Sequence, residues 1–362
     1  MKRTTFMCLA IAASLTAFPA VALDNLTLTL DMCADASSPT RDHITNYEAC
    51  GVNTVKLRYM SNLSLTTPND LKDVTKALIM VHGSGINPTD VYNPVMADIT
   101  TAGLQKKVLL IAPQFLEDTD YPGVNDVLKW PFEEEINYAA GGVSTVPANV
   151  ELSSFDVMDA IVRKLKAKVP GIKEIILGGH AAGGQMLLRY SMATQIETHP
   201  EMEGVKFRYI ISAPRVYVYF DGVRYDTDLT RWTLKTVDTS KCPGYNDYRY
   251  GLENIPYDHY MATFTPEELS DRFNEKRRLF LVGSKDTGGL TNDKCMEKIQ
   301  GMPGRVDRAF NYMHHLRVQG KGESASFCVV KGIAHDGDVL GSGASTLFWK
   351  DNMVDCSYDD GL

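Results

Sequence analysis

The residues from Ile175 to Gln185 read IILGGHAAGGQ, an apolar run that breaks into glycines and then enters a helix-compatible stretch. Gly179 and Gly183 flank Ala181 at the spacing of a strand-to-helix elbow, a turn written G-x-S-x-G when its centre is a nucleophilic serine. The turn is so tight that side chains at the flanking positions would collide. Its central side chain is thrown above the sheet, where a serine Oγ could attack a carbonyl carbon. Here the centre is Ala181. Other readings of this turn fail on spacing. A dinucleotide loop needs G-x-G-x-x-G, and His180 stands where the second glycine belongs; a phosphate loop, G-x-x-x-x-G-K-[ST], is absent. Gly341-Ser342-Gly343 follows no strand and reads as a turn. His314 and His315 are adjacent, do not share a helix face and read as surface residues rather than a metal pair.

The elements needed to hold such an elbow are visible. Leu26 to Leu30 and Val55 to Met60 alternate apolar and polar residues, which predicts strands. Ala77 to Val81, Val108 to Ala112, Glu174 to Leu177, Arg208 to Ile211, Leu279 to Val282 and Ser326 to Val330 are continuous apolar runs or nearly so, the pattern of strands covered on both faces. Asp156 to Val169 has helical spacing, with Ser153 or Ser154 as N-cap and Pro170-Gly171 closing it. A second helix is expected near Gln185 to Thr194. Strands alternating with helices predict an α/β domain, a mostly parallel sheet with helices on both faces. Pro214 to Phe264 departs from this pattern and holds eight of the 17 tyrosines. It reads as a lid or cap insertion, or equally as a long loop packed by its own aromatics. Tyr257, Asp258, His259 and Tyr260 within it could line a pocket, but nothing positions them relative to the elbow and they read as solvated.

From Lys76 to Phe348 the chain resembles the α/β-hydrolase superfamily, most closely its secreted members with the elbow Gly-His-Ser-Ala-Gly-Gly; here that segment is Gly179-His180-Ala181-Ala182-Gly183-Gly184. The resemblance implies a triad in the chain order nucleophile, acid, histidine. Gly283-Ser284-Lys285-Asp286 follows a late strand and Gly332-Ile333-Ala334-His335 follows the last, so Asp286 and His335 match the acid and the base. Asp336 and Asp338 compete for the acid role, but they stand beside the histidine rather than after a separate strand. The oxyanion donors implied are the Ala182 N–H and one from His82-Gly83-Ser84-Gly85, either Ser84 or Gly85. The His82 side chain is expected to be structural. The resemblance implies no cofactor and no metal, and a small-molecule or polymeric ester as substrate.

Lys2 and Arg3 precede an uncharged apolar run, Phe6 to Phe18, then Pro19 and Ala20-Val21-Ala22. This is the layout of a secretory leader cleaved after Ala22, leaving residues 23–362 for export; the run is too short to anchor the chain in a membrane. Cleavage removes Cys8 and turns seven cysteines into six. An even count in an exported chain predicts three disulfides, and closeness in sequence suggests Cys33–Cys50, Cys242–Cys295 and Cys328–Cys356. The formal charge of −8 moves to −10, because Lys2 and Arg3 leave and no acid does. That balance disfavours a nucleic-acid partner.

Without an Oγ at the elbow the chain is expected to be nearly inactive, since loss of the nucleophile costs about a million-fold in turnover. Two explanations compete: a serine replaced in a working hydrolase, which would trap substrate, or a natural pseudoenzyme that binds a ligand or partner. A non-glycine residue at a positive-φ elbow costs about 1–2 kcal/mol, which a chain released from catalysis could shed by adopting glycine. Retention of the glycines, the acid, the histidine and the oxyanion loop favours the first.

Overall fold

The computed structural model of the chain describes residues 27–33, 52–148, 150–227, 232–257, 259–288, 294–351 and 356. The predicted leader at 1–22 and the Cys50 end of the Cys33–Cys50 pairing lie outside these residues, as does Asp258.

Eight strands form one sheet: β1 (Thr27–Cys33), β2 (Val52–Ser61), β3 (Lys76–Val81), β4 (Val108–Gln114), β5 (Glu174–His180), β6 (Lys206–Ser212), β7 (Arg278–Gly283) and β8 (Ala325–Val330). Their order is β1-β2-β4-β3-β5-β6-β7-β8. The six from β4 to β8 in that order run parallel, while β1 and β2 are antiparallel additions at one edge. This is the α/β-hydrolase fold, and each sequence-predicted strand lies within three residues of its observed ends.

Alternation along the parallel strands splits the core in two. Ile79, Val81, Ile175, Leu177, Ile211 and Val282 point to one face. There they meet α2 (Ser154–Lys168), α3 (Ala182–Ala193), α4 (Pro266–Glu275) and α5 (Arg305–Val318). Leu78, Met80, Ile176, Ile210 and Leu281 point to the other, against α1 (Thr89–Thr101) and α6 (Gly343–Trp349). Both faces are covered, which is why the middles of these strands are apolar. Ser153 caps α2 by accepting from the Phe155 N–H, and Asp156 reciprocates onto the Ser153 N–H, a capping box.

The described residues of 214–264 lie outside the sheet and pack on the helices and loops of one of its faces. The Tyr217 ring stacks on Tyr312 with centroids 4.5 Å apart. His259 donates from Nε2 to the Ala140 carbonyl at 2.8 Å, and Tyr260 donates to Asp159 at 2.7 Å. The expectation that Tyr257, His259 and Tyr260 are solvated holds only for Tyr257, which is 94% exposed; His259 and Tyr260 are buried. Each of the buried pair satisfies its polar atom on a distant segment, which a local pattern does not announce. The surface reading of His314 and His315 is likewise corrected for His315, which is fully buried on α5 beside Tyr219. Two adjacent helix residues face different ways, so one of them can turn inward. The disulfides Cys242–Cys295 and Cys328–Cys356 are present. Among the described residues, no helix is long and apolar enough to cross a membrane.

Candidate active site

The site residues collect at the carboxyl ends of β3, β5, β7 and β8, the edge where open α/β sheets hold their ligands. Ala181 sits between β5 and α3 with φ 54° and ψ −111°. A residue with a Cβ is rarely found there, and the strain is of order 1–3 kcal/mol. The turn is clamped at both sides. The Ala181 N–H donates to the Ser212 carbonyl at 2.9 Å, and its own carbonyl accepts from the Gln185 N–H at 3.0 Å, starting α3. The flanking glycines are required by contact. A Cβ on Gly179 would lie 2.4 Å from the Gly183 carbonyl oxygen, and one on Gly183 would lie 2.2 Å from that of Val81.

β3 delivers His82-Gly83-Ser84-Gly85 beside the elbow. A Cβ on Gly83 would come within 3.2 Å of the Ala181 Cβ, so the loop touches the elbow's central residue. The His82 ring is buried and carries out the structural role expected of it. Its Nδ1 bonds the Gly83 carbonyl at 2.7 Å, and its Nε2 accepts from the Phe115 N–H at 2.9 Å. It thereby ties the loop after β3 to the end of β4. Burial lowers its pKa to about 4, so the ring is neutral. Ala182 is the first residue of α3, so its N–H has no helical carbonyl to bond and is available to a ligand.

β7 and β8 bring the acid and the histidine together. His335 Nδ1 donates to Asp286 Oδ2 at 2.8 Å. Arg305, at the start of α5, donates to the other oxygen at 3.2 Å. Burial alone would raise the Asp286 pKa, but the bonds from His335 and Arg305 outweigh it and hold the carboxyl below its ordinary value. With Nδ1 donating to Asp286, Nε2 is the ring nitrogen left to face the cavity. The loops carrying the pair interlock: the Lys285 N–H donates to the Ile333 carbonyl at 2.9 Å, and a Cβ on Gly283 would lie 2.3 Å from that same oxygen.

Two neighbours of the site carried no role at the sequence level. One is Arg305, whose only sequence signal is its place in the first turn of a late helix. The other is His180, whose ring centroid lies 4.7 Å from that of His335 and whose Nδ1 pairs with Ser212 Oγ at 3.0 Å. Burial first, and then the nearby His335, lower the His180 pKa to about 3.

Ser84, Gly85, Ala181, His180 and His335 open onto one cavity of about 500 Å³, while Asp286 lies behind His335. Asp336 and Asp338, the competing carboxylates, also line this cavity. Asp336 accepts from the Asp338 N–H at 3.0 Å rather than from the histidine. Among the described residues, none of 214–264 belongs to the lining. Among the described residues, no cluster of His, Cys, Asp and Glu has the arrangement to hold a metal.

Similar folds are found in solved structures. A poly(3-hydroxybutyrate) depolymerase from Bordetella parapertussis superposes with a TM-score of 0.54 at 17% identity, over 86% of this chain and 89% of that one. A poly(aspartic acid) hydrolase from Sphingomonas sp. KT-1 superposes at 0.52 with 16% identity, over 82% and 93% respectively. No protein-family profile matches the chain, and no curated protein matches it in sequence.

Proposed function

We propose that the chain is a secreted carboxylic-ester hydrolase scaffold with alanine in place of its nucleophile. It binds an ester between the elbow, the loop after β3 and His335, and as it stands turns that ester over very slowly. The observation that carries this reading is the Asp286–His335 hydrogen bond of 2.8 Å, held beside a strained Ala181 at φ 54°. Strain of this kind persists only where the surroundings enforce it, and it serves a nucleophile better than a methyl group.

With a serine at position 181 the chemistry runs through an acyl-enzyme. The Oγ attacks the carbonyl carbon while His335 Nε2 takes its proton. The oxyanion is stabilised by the Ala182 N–H and by that of Ser84 or Gly85. His335 returns the proton to the leaving alcohol; water then enters by the same route and releases the acid. Asp286 keeps Nδ1 protonated, orients the ring and balances its positive charge, and Arg305 fixes the carboxylate. The two disulfides fit an oxidising compartment, in line with export by the leader at 1–22.

Assay of A181S on short and long p-nitrophenyl esters tests the proposal. Hydrolysis well above that of the unchanged chain is expected, and a folded A181S with no gain would contradict it. The second reading is a natural pseudoenzyme that uses the same cavity for a ligand or partner. It predicts tight binding to the alanine form and no acyl adduct in A181S.

A further inference from the structure

The charge around the cavity mouth is one-sided. Its lining, among the described residues, includes Asp90, Asp336 and Asp338 and no lysine or arginine. Asp90 lies in the first turn of α1, and its Oδ1 accepts from Asn87 Nδ2 at 2.7 Å, a neutral partner. Asp336 caps the short turn that follows His335. A Cβ on Gly337 would lie 2.1 Å from the Asp90 carbonyl oxygen, so the two segments touch and their three carboxylates share one rim. All three are exposed. Elsewhere carboxylates of this acidic chain find cations, as Glu134 does with Arg215 and Arg249. Among the described residues the rim carboxylates do not, so their field reaches into the cavity, where low-dielectric walls focus it. The lining also offers little apolar surface beyond Val91, Pro94 and Ala181.

We infer that the cavity selects esters bearing a positive charge, such as quaternary or protonated amines, and turns away anionic ones. The inference rests on this cavity being the ester-binding site. Asp336 and Asp338 are its specificity-determining residues, placed beside His335 and acting through charge rather than on the reacting carbonyl.

Because the unchanged chain lacks a nucleophile, intact esters can be titrated against it. The probes are acetylcholine, its uncharged isostere 3,3-dimethylbutyl acetate, and the anionic 3-acetoxypropanesulfonate, followed by NMR shifts of the Gly83 and Ala182 amides. At about 20 mM salt the cation is expected to bind on the order of tenfold more tightly than the isostere, and the anion most weakly. Raising salt to about 500 mM should bring the three together. The double substitution Asp336→Asn with Asp338→Asn should bring the cation-to-isostere ratio close to one. Glu267→Gln with Glu275→Gln, which removes the same charge from α4, should leave that ratio in place. Equal binding of the three esters, a preference that survives the rim substitutions, or one lost equally in the α4 control would overturn the inference. If A181S proves inactive on every ester, the hydrolase reading falls, and the titration still decides whether the cavity prefers cations.

Discussion

The two ends of the parallel sheet solve opposite problems. At the amino ends of β3, β5, β6 and β7, charged side chains are matched and locked. Lys76 pairs with Glu174 at 2.7 Å, and Arg208 bonds both Glu174 and Asp351, the latter at 3.0 Å. Arg277 joins Asp351 at 2.7 Å, and Lys76 and Arg208 donate to the Trp349 and Phe348 carbonyls at the end of α6. The carboxyl ends hold a strained alanine, glycines pressed on carbonyls, two buried neutral histidines and a rim of carboxylates that, among the described residues, have no cation partner. Local rules are obeyed at one end and broken at the other. Such breaks concentrate where a structure binds or reacts, and the orderly end supplies the rigidity that sustains them.

The contrast can be broken from either side. The largest effect is expected at the elbow: A181S should raise ester turnover by on the order of a million-fold over the alanine form. Within A181S, Asp286→Asn should then remove about ten-thousand-fold of that rate while circular dichroism stays unchanged, because His335 would lose its fixed tautomer. The amino end should respond in stability instead. Glu174→Gln leaves Arg208 short of its buried partner and should cost about 3–5 kcal/mol in urea unfolding, with turnover per folded A181S molecule preserved. An equal loss of rate and stability there would dissolve the division between the two ends.

Acid should separate the ends as well. His82 and His180 have folded pKa values of about 4 and about 3, both below the ordinary histidine value. The unfolded chain therefore binds protons first, so the stability these groups contribute is complete above about pH 6.5 and is lost as pH falls through the folded values. The lowered pKa of Asp286 acts in the same direction, at still lower pH. Amide protection, corrected for intrinsic exchange, should fall on the order of tenfold between pH 6.5 and 5 at residues 82–86 and 180–184, before it changes at residues 348–351. The smallest effect is Ala181→Gly, which should raise stability by roughly 1 kcal/mol by relieving the positive φ.

Much of this architecture was legible because its signals are local. Six strands announce themselves as apolar runs, and the elbow by glycines whose spacing the turn demands. Asp286 and His335 followed from chain order once the resemblance was recognised. What escaped is held by contacts distant in sequence. The bond from Lys76 to Trp349 joins segments 273 residues apart, and Arg305 reaches Asp286 from the start of α5. A histidine doublet carries no period, so nothing local shows that His315 turns inward. The segment 214–264 shows no period because its ordering contacts reach residues distant in sequence, as His259 does to Ala140 and Tyr260 to Asp159.

We propose that the carboxyl edge holds everything an acyl transfer needs except one oxygen. Treating A181S and the unchanged chain with a fluorophosphonate, then mapping the adduct by mass spectrometry, tests this most directly. A single covalent adduct is expected on the introduced serine, abolished by His335→Ala, and none on the unchanged chain. A folded A181S that stays unlabelled would contradict it.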